Sequence, residues 1–179
     1  MEFLKVSWEE LAKECIALVD QVRDKKINAI ICISRGGLVQ GRILSDILDI
    51  PLLNISLTFY KDLKKQEEPI ITQYLPEEYK NESVLLVDGV SDTGKTFAKA
   101  VSYLQTLPIQ KIYTLAPYIK SQTTFIPDFW KVKTDKWIIF PYEIMETRKA
   151  LNKMLSEEEV PRKLQEIGYT DWEIEAVID

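Results

Sequence analysis

The chain has 179 residues, 46% of them hydrophobic and 28% charged, with a net charge of −5; this balance suits a globular fold and excludes a broad basic surface for nucleic acid. No apolar run approaches the roughly 18 residues of a membrane span, and Met1-Glu2-Phe3-Leu4-Lys5 lacks a signal peptide's apolar stretch, so a cytoplasmic protein without a membrane partner is expected. Histidine is absent, which excludes Ser-His-Asp and Cys-His catalysis and His-based zinc sites, and leaves acid–base work to carboxylates, lysines or tyrosines.

Ser7-Trp8-Glu9-Glu10 reads as a capping box, and the spacing of Leu11, Cys15, Leu18 and Val22 predicts a helix from about 8 to 24. Ala29 to Ile33 is a continuous apolar run, the pattern of a buried parallel strand. It ends in Ser34-Arg35-Gly36-Gly37. A second helix carries Leu38, Ile43, Leu44, Ile47 and Leu48 and closes near Pro51, and Leu52 to Leu57 reads as a second strand. Cys15 and Cys32 sit inside apolar patterns and read as buried free thiols. Residues 58–82 turn rich in Lys, Glu, Gln and Tyr. They are either a solvated surface loop or a flap over a site, since long loops in compact domains often serve as lids.

Val84 to Val87 is a third buried strand that ends at Asp88, and a helix follows with Phe97, Val101 and Leu104 on one face. Lys111 to Leu115 and Trp137 to Phe140 read as further strands. Strands alternating with helices predict an α/β fold with a mostly parallel sheet flanked by helices, whose ligands bind beyond the carboxyl ends of the strands. From about 142 the chain reads as helical and charged, with Asp171 as cap of a last short helix through Val177. We divide it into a domain over 1–149, with the flap at 58–82, and a helical C-terminal extension over 150–179, expected to be an exposed cap or a subunit contact.

The most informative segment is Val84 through Thr96, VLLVDGVSDTGKT. A buried strand delivers an acid to its end, and a tight loop runs into a helix N-terminus. Backbone N–H groups and hydroxyls there can surround a phosphate, whose charge the helix dipole favours. Gly89 to Thr96 fits G-x-x-x-x-G-K-T, the P-loop of ATPases and kinases. Against that reading, Asp92 would aim negative charge at the phosphates, Asp88 stands immediately before the loop, and no convincing aspartate-terminated apolar strand follows.

The same segment closely resembles the PRPP (phosphoribosyl pyrophosphate) motif of type I phosphoribosyltransferases, an apolar strand, two acids, then D-T-G-K-T. The resemblance implies that Ser91, Thr93, Gly94, Lys95 and Thr96 hold the 5′-phosphate and that Asp88 holds the ribose hydroxyls and, indirectly, Mg²⁺. The second acid of the family is Gly89 here. Ser34, Arg35, Gly36 and Gly37 resemble the pyrophosphate loop of bacterial xanthine–guanine and archaeal purine enzymes. Thr134 to Glu143 resembles the purine-binding strand, with Trp137 stacking on the base and the backbone of Ile138 reading its edge. Lys120 corresponds, slightly displaced, to a lysine that donates to the purine's exocyclic oxygen, and Glu143 to a carboxylate near a second Mg²⁺.

The resemblance spans about 25–145. It implies the type I phosphoribosyltransferase fold, PRPP and a purine base as partners, Mg²⁺ as cofactor and a homo-oligomer, dimer or tetramer. Asp92 stands where 6-oxopurine enzymes carry an aspartate that contacts N7 and takes its proton, so hypoxanthine, guanine or xanthine is the expected base. A PRPP- or nucleotide-binding regulator of the same fold, without turnover, and the P-loop ATPase are the alternatives.

Overall fold

The computed structural model describes residues 2–61, 64–76 and 80–177, without the side chains of 60, 61, 64–66, 81 and 82. The elements in chain order are β1 (Phe3–Lys5), α1 (Trp8–Val22), β2 (Ala29–Ser34), α2 (Leu38–Leu48), β3 (Leu52–Lys61), β4 (Lys64–Gln73), β5 (Asn81–Val87), β6 (Val90–Ser91), α3 (Lys95–Leu104), β7 (Ile109–Leu115), β8 (Tyr118–Ile119), β9 (Val132–Lys133), β10 (Trp137–Ile139), α4 (Ile144–Leu151), α5 (Val160–Ile167) and α6 (Asp171–Glu175). The chain forms two compact units, one of Ala12–Asp135 and one of Met1–Leu11 with Lys136–Asp179.

The larger unit is built on a five-stranded sheet in the order β4-β3-β2-β5-β7. All its pairs are parallel except β3 with β4. Strands β2 and β5 are central and apolar on both faces, as the continuous runs in the sequence require. One face packs Ile31, Ile33, Leu86, Phe97, Ala100 and Leu104; the other packs Ile30, Cys32, Leu85 and Val87 against Leu18, Val19, Val22 and Leu44. Burial pushes the thiols of Cys15 and Cys32 up to about 12, helped by nearby Glu14 and Asp88 respectively, so both are inert. A three-stranded parallel sheet, β6-β8-β9, lies beyond β5 in the chain.

Strand β4 falls inside the segment read as a loop or flap. The pattern KKQEEPIITQ does not alternate and includes Pro69, a residue that sheets accept only at an edge, and β4 is the edge strand. The flap's residues 62, 63 and 77–79 lie outside the described residues.

In the smaller unit β1 pairs parallel with β10, Phe3 opposite Trp137. The predicted strand at 137–140 therefore belongs to this two-stranded sheet and not to the five-stranded one. The capping box forms as expected: Glu10 N–H donates to Ser7 Oγ at 3.1 Å, and Ser7 N–H to Glu10 Oε2 at 2.8 Å. The C-terminal helices bury more than the sequence suggested, with Leu151, Val160, Leu164, Tyr169, Ile174 and Val177 sharing one core with Ile139, Phe3 and Ile144. Lys5 Nζ adds a 2.9 Å bridge to Glu173 and a 2.7 Å bond to Gly168 O. The N-cap of α6 is Thr170, not Asp171, because Thr170 and Glu173 make a reciprocal capping box.

Candidate active site

Two strand-to-helix loops meet at the carboxyl ends of β2 and β5, which are neighbours in the sheet. Ser34-Arg35-Gly36-Gly37 joins β2 to α2, and its Ser34–Arg35 peptide is cis. Space explains both glycines. A Cβ at Gly36 would lie 2.5 Å from Asp88 Oδ1, and one at Gly37 would lie 2.2 Å from the backbone oxygen of Val87. Ser34 Oγ is buried without a hydrogen-bond partner among the described residues, an unmet polar group where the sequence placed the pyrophosphate.

Asp88 ends β5. Its N–H donates to Leu115 O at 3.1 Å, and its Oδ1 accepts the N–H of Gly89 at 2.8 Å. The positive-φ glycines among the described residues are Gly94 and Gly168, so Gly89 does not occupy its place for a left-handed backbone. Gly94 does, at φ +85° on the N-cap of α3, where a Cβ would also lie 2.5 Å from Phe125 N. Strand β7, next to β5, ends in Leu115 and not in an acid.

A cavity of about 700 Å³ opens over this loop, lined by Asp88, Val90 through Phe97, and Phe59 and Glu67 from the β3–β4 hairpin. Of the predicted phosphate ligands, Thr93, Gly94, Lys95 and Thr96 all reach it. Ser91 also lines it, but its hydroxyl is engaged internally, donating to Phe125 O at 2.7 Å and pairing with Thr123 Oγ1 at 2.8 Å. Lys95 Nζ donates to Glu67 O at 2.8 Å and to Glu68 Oε1 at 2.7 Å. The hairpin thus holds the loop's cation with a carboxylate, the charge type that a phosphate would bring.

The segment after β8 runs beside the loop. Lys120 N–H donates to Ser91 O at 3.0 Å. Burial lowers the Lys120 ammonium from its ordinary value, against the opposing pull of Asp92 and Asp135. Lys120 thus lies within the electrostatic reach of Asp92 and Asp135. Asp135 accepts from the backbone N–H and hydroxyl of Ser121, both at 3.0 Å, and these donors hold it below the usual carboxylate range. Gln122 Nε2 donates to Asp92 Oδ1. Neither Gln122 nor the hairpin residues Phe59, Glu67 and Glu68 carry a motif signal; their roles arise from tertiary contact alone.

In the smaller unit Trp137 is 46% exposed and Ile138 8%. The indole is therefore not a core side chain. It lines a pocket of about 220 Å³ with Phe3, Thr147, Ala150, Leu151, Lys153 and Met154. Glu143 is the N-cap residue of α4, and its Oε2 accepts Phe140 N–H at 3.2 Å, which gives this carboxylate a local structural role.

Residues 7–146 match the model of the phosphoribosyl transferase domain. The chain belongs to the phosphoribosyltransferase family. It is 32% identical over 142 residues to a xanthine-guanine phosphoribosyltransferase of Desulfotalea psychrophila, covering 77% of this chain and 84% of that protein. Among solved structures it is similar to the purine phosphoribosyltransferase of Pyrococcus horikoshii, at 36% identity and a TM-score of 0.72, covering 79% of this chain and 95% of the other. A xanthine-guanine-hypoxanthine phosphoribosyltransferase of Helicobacter pylori shares the fold, with a TM-score of 0.72 at 23% identity, over 84% of this chain and 99% of the other.

The metal of this family fits the residues present. Among the described residues no three acidic or cysteine side chains gather into a cage. Mg²⁺ does not require one, because it keeps several waters and binds through one or two carboxylates together with substrate phosphates. Asp88, which lines the cavity, offers one such carboxylate.

Proposed function

We propose that this phosphoribosyltransferase transfers the 5-phosphoribosyl group of PRPP to a 6-oxopurine (hypoxanthine, guanine or xanthine), releasing pyrophosphate and a purine nucleotide. The observation that carries the reading is the cavity in which Asp88 and Asp92 flank a hydroxyl- and N–H-rich loop at the start of α3. The identities to purine and xanthine-guanine enzymes supply the substrate class.

In this mechanism the loop from Thr93 to Thr96 binds the 5′-phosphate through backbone N–H groups, hydroxyls and Lys95, with the dipole of α3 favouring the charge. Asp88 holds the ribose hydroxyls. Ser34 Oγ and the loop of Arg35, Gly36 and Gly37 take the pyrophosphate, whose growing charge the N–H groups and the guanidinium stabilise. Mg²⁺, when bound, neutralises diphosphate charge. The bond from the anomeric carbon to the pyrophosphate oxygen breaks as a purine nitrogen bonds to that carbon from the opposite face. Asp92 receives the proton that the purine gives up, and Lys120 donates to the exocyclic oxygen. Trp137 offers a half-exposed aromatic face for the base, and the hairpin of β3 and β4 acts as the flap that excludes water.

Incubation with PRPP, Mg²⁺ and each base, with nucleotide and pyrophosphate quantified, tests the proposal. Stoichiometric formation of both products supports it. Gly89, which removes one acid from the ribose site, favours a second reading, a PRPP- or nucleotide-binding regulator; PRPP binding without either product would establish that instead.

A further inference from the structure

We infer that Gln122 is a positioning residue for the reaction, holding the carboxylate of Asp92 for proton transfer. The inference rests on the proposed function. An ionised carboxylate only accepts hydrogen bonds, so the contact between the two side chains fixes the amide with its NH₂ group towards Asp92 Oδ1. That engages one oxygen and leaves Oδ2 for the proton of the base.

The backbone around Gln122 is anchored on both sides to the loop it serves. Lys120 N–H bonds to Ser91 O at 3.0 Å, and Thr124 N–H and Oγ1 bond to Thr93 O at 3.1 and 2.9 Å. Thr123 Oγ1 pairs with Ser91 Oγ at 2.8 Å, and Ser121 is tied to Asp135 at 3.0 Å by its N–H and again by its hydroxyl. The segment 120–124 therefore runs as a splint along 91–93. Gln122 presents its amide from a fixed backbone, while its own side chain and that of Asp92 stand exposed. Asp92 is exposed, so without a partner its carboxylate would sample several rotamers.

Exposure of both side chains makes substitution safe for the fold. The test is a double-mutant cycle on the whole chain with Gln122→Met, Asp92→Asn and the pair, read as kcat, PRPP affinity by calorimetry and thermal midpoint. Gln122→Met is expected to lower kcat about tenfold, the scale of one hydrogen bond to a charged group. PRPP affinity and the thermal midpoint should stay unchanged, and the same substitution in the Asp92→Asn background should lower kcat no further. An unchanged kcat in Gln122→Met, or an equal loss in the Asp92→Asn background, overturns the inference while leaving the function intact. If the unmodified protein makes no nucleotide from any of the three bases, the function falls and takes this inference with it.

Discussion

Gly36 and Gly37 are adjacent, yet replacing each with alanine should fail in different ways. At Gly36 the new Cβ would meet Asp88 Oδ1 at 2.5 Å, the end of a side chain that can rotate away. Rotation breaks the 2.8 Å bond from Gly89 N–H and moves the carboxylate off the ribose and metal. Losing a hydrogen bond that involves a charged group costs about 1.5–3 kcal/mol, which corresponds to roughly 10- to 150-fold in PRPP affinity. At Gly37 the Cβ would meet the Val87 carbonyl at 2.2 Å, and β5 cannot yield there without disturbing its pairing with β2, in which Cys32 registers with Val87. Overpacking of this kind costs about 1–3 kcal/mol of stability, and a chain of this size loses roughly 2–4 °C of Tm per kcal/mol. Calorimetric titration with PRPP and Mg²⁺, alongside scanning calorimetry, separates the two effects. Gly36→Ala should bind weakly at an almost unchanged Tm, whereas Gly37→Ala should melt early. Wild-type PRPP affinity in a folded Gly36→Ala protein would refute the claim that the position of Asp88 sets the affinity.

Asp92→Asn should leave PRPP affinity nearly intact and lower turnover by about 10²–10⁴-fold, the usual cost of a lost general base; unchanged steady-state rates with hypoxanthine and guanine would remove the assignment. Glu68→Gln frees Lys95 from a contact that competes with phosphate; with side chains 41% and 71% exposed, such a pair is worth about 0.2–1 kcal/mol, so PRPP should bind up to about fivefold tighter by calorimetry. Trp137→Ala should weaken purine binding by about 1 kcal/mol beyond lost area and PRPP binding less, and equal losses for the two ligands would contradict a stacking role. Gly89→Asp restores the acid at a backbone position outside the left-handed region; tighter PRPP binding without a fall in Tm is expected, and a lower Tm with weaker binding would show that the glycine serves packing.

The central strands were legible because β2 and β5 carry short, uninterrupted apolar runs whose length, β-branched content and turn-forming ends separate them from a buried helix segment. Strand β4 was hidden because an edge strand needs apolar residues on only part of one face, and Pro69 argued against any strand. Strands β1, β8 and β9 have two or three residues each, too few for any period to register. Asp171 was misplaced by one position, although Thr170-Asp171-Trp172-Glu173 already contains the T-x-x-E pattern of the box that forms. The C-terminal helices looked like an exposed cap because their charges are conspicuous, while Val160, Leu164 and Ile174 are spread over separate short helices and share a core only after folding.

The site divides along the same line. The runs proposed as ligand loops, Ser34 to Gly37 and Asp88 to Thr96, were legible because each is consecutive, the second by its density of Ser, Thr, Gly and Lys and the first through the family resemblance. Groups that come from distant segments were not. Gln122, Glu68 and Phe59 are unremarkable in sequence and acquire meaning only where β8 and the hairpin approach the loop. This division bears on Gly89. On the proposed function one acid is missing, so the ribose and the metal would depend on a single carboxylate, and its position would matter more. Asp88 accepts the N–H of the glycine that replaces its partner, and Gly36, without a side chain, leaves room for its Oδ1. The departure from the family pattern and the crowding of the neighbouring loop thus bear on one side chain: Gly36 leaves the space that Asp88 Oδ1 occupies, while the N–H it accepts at position 89 would come from any residue but proline.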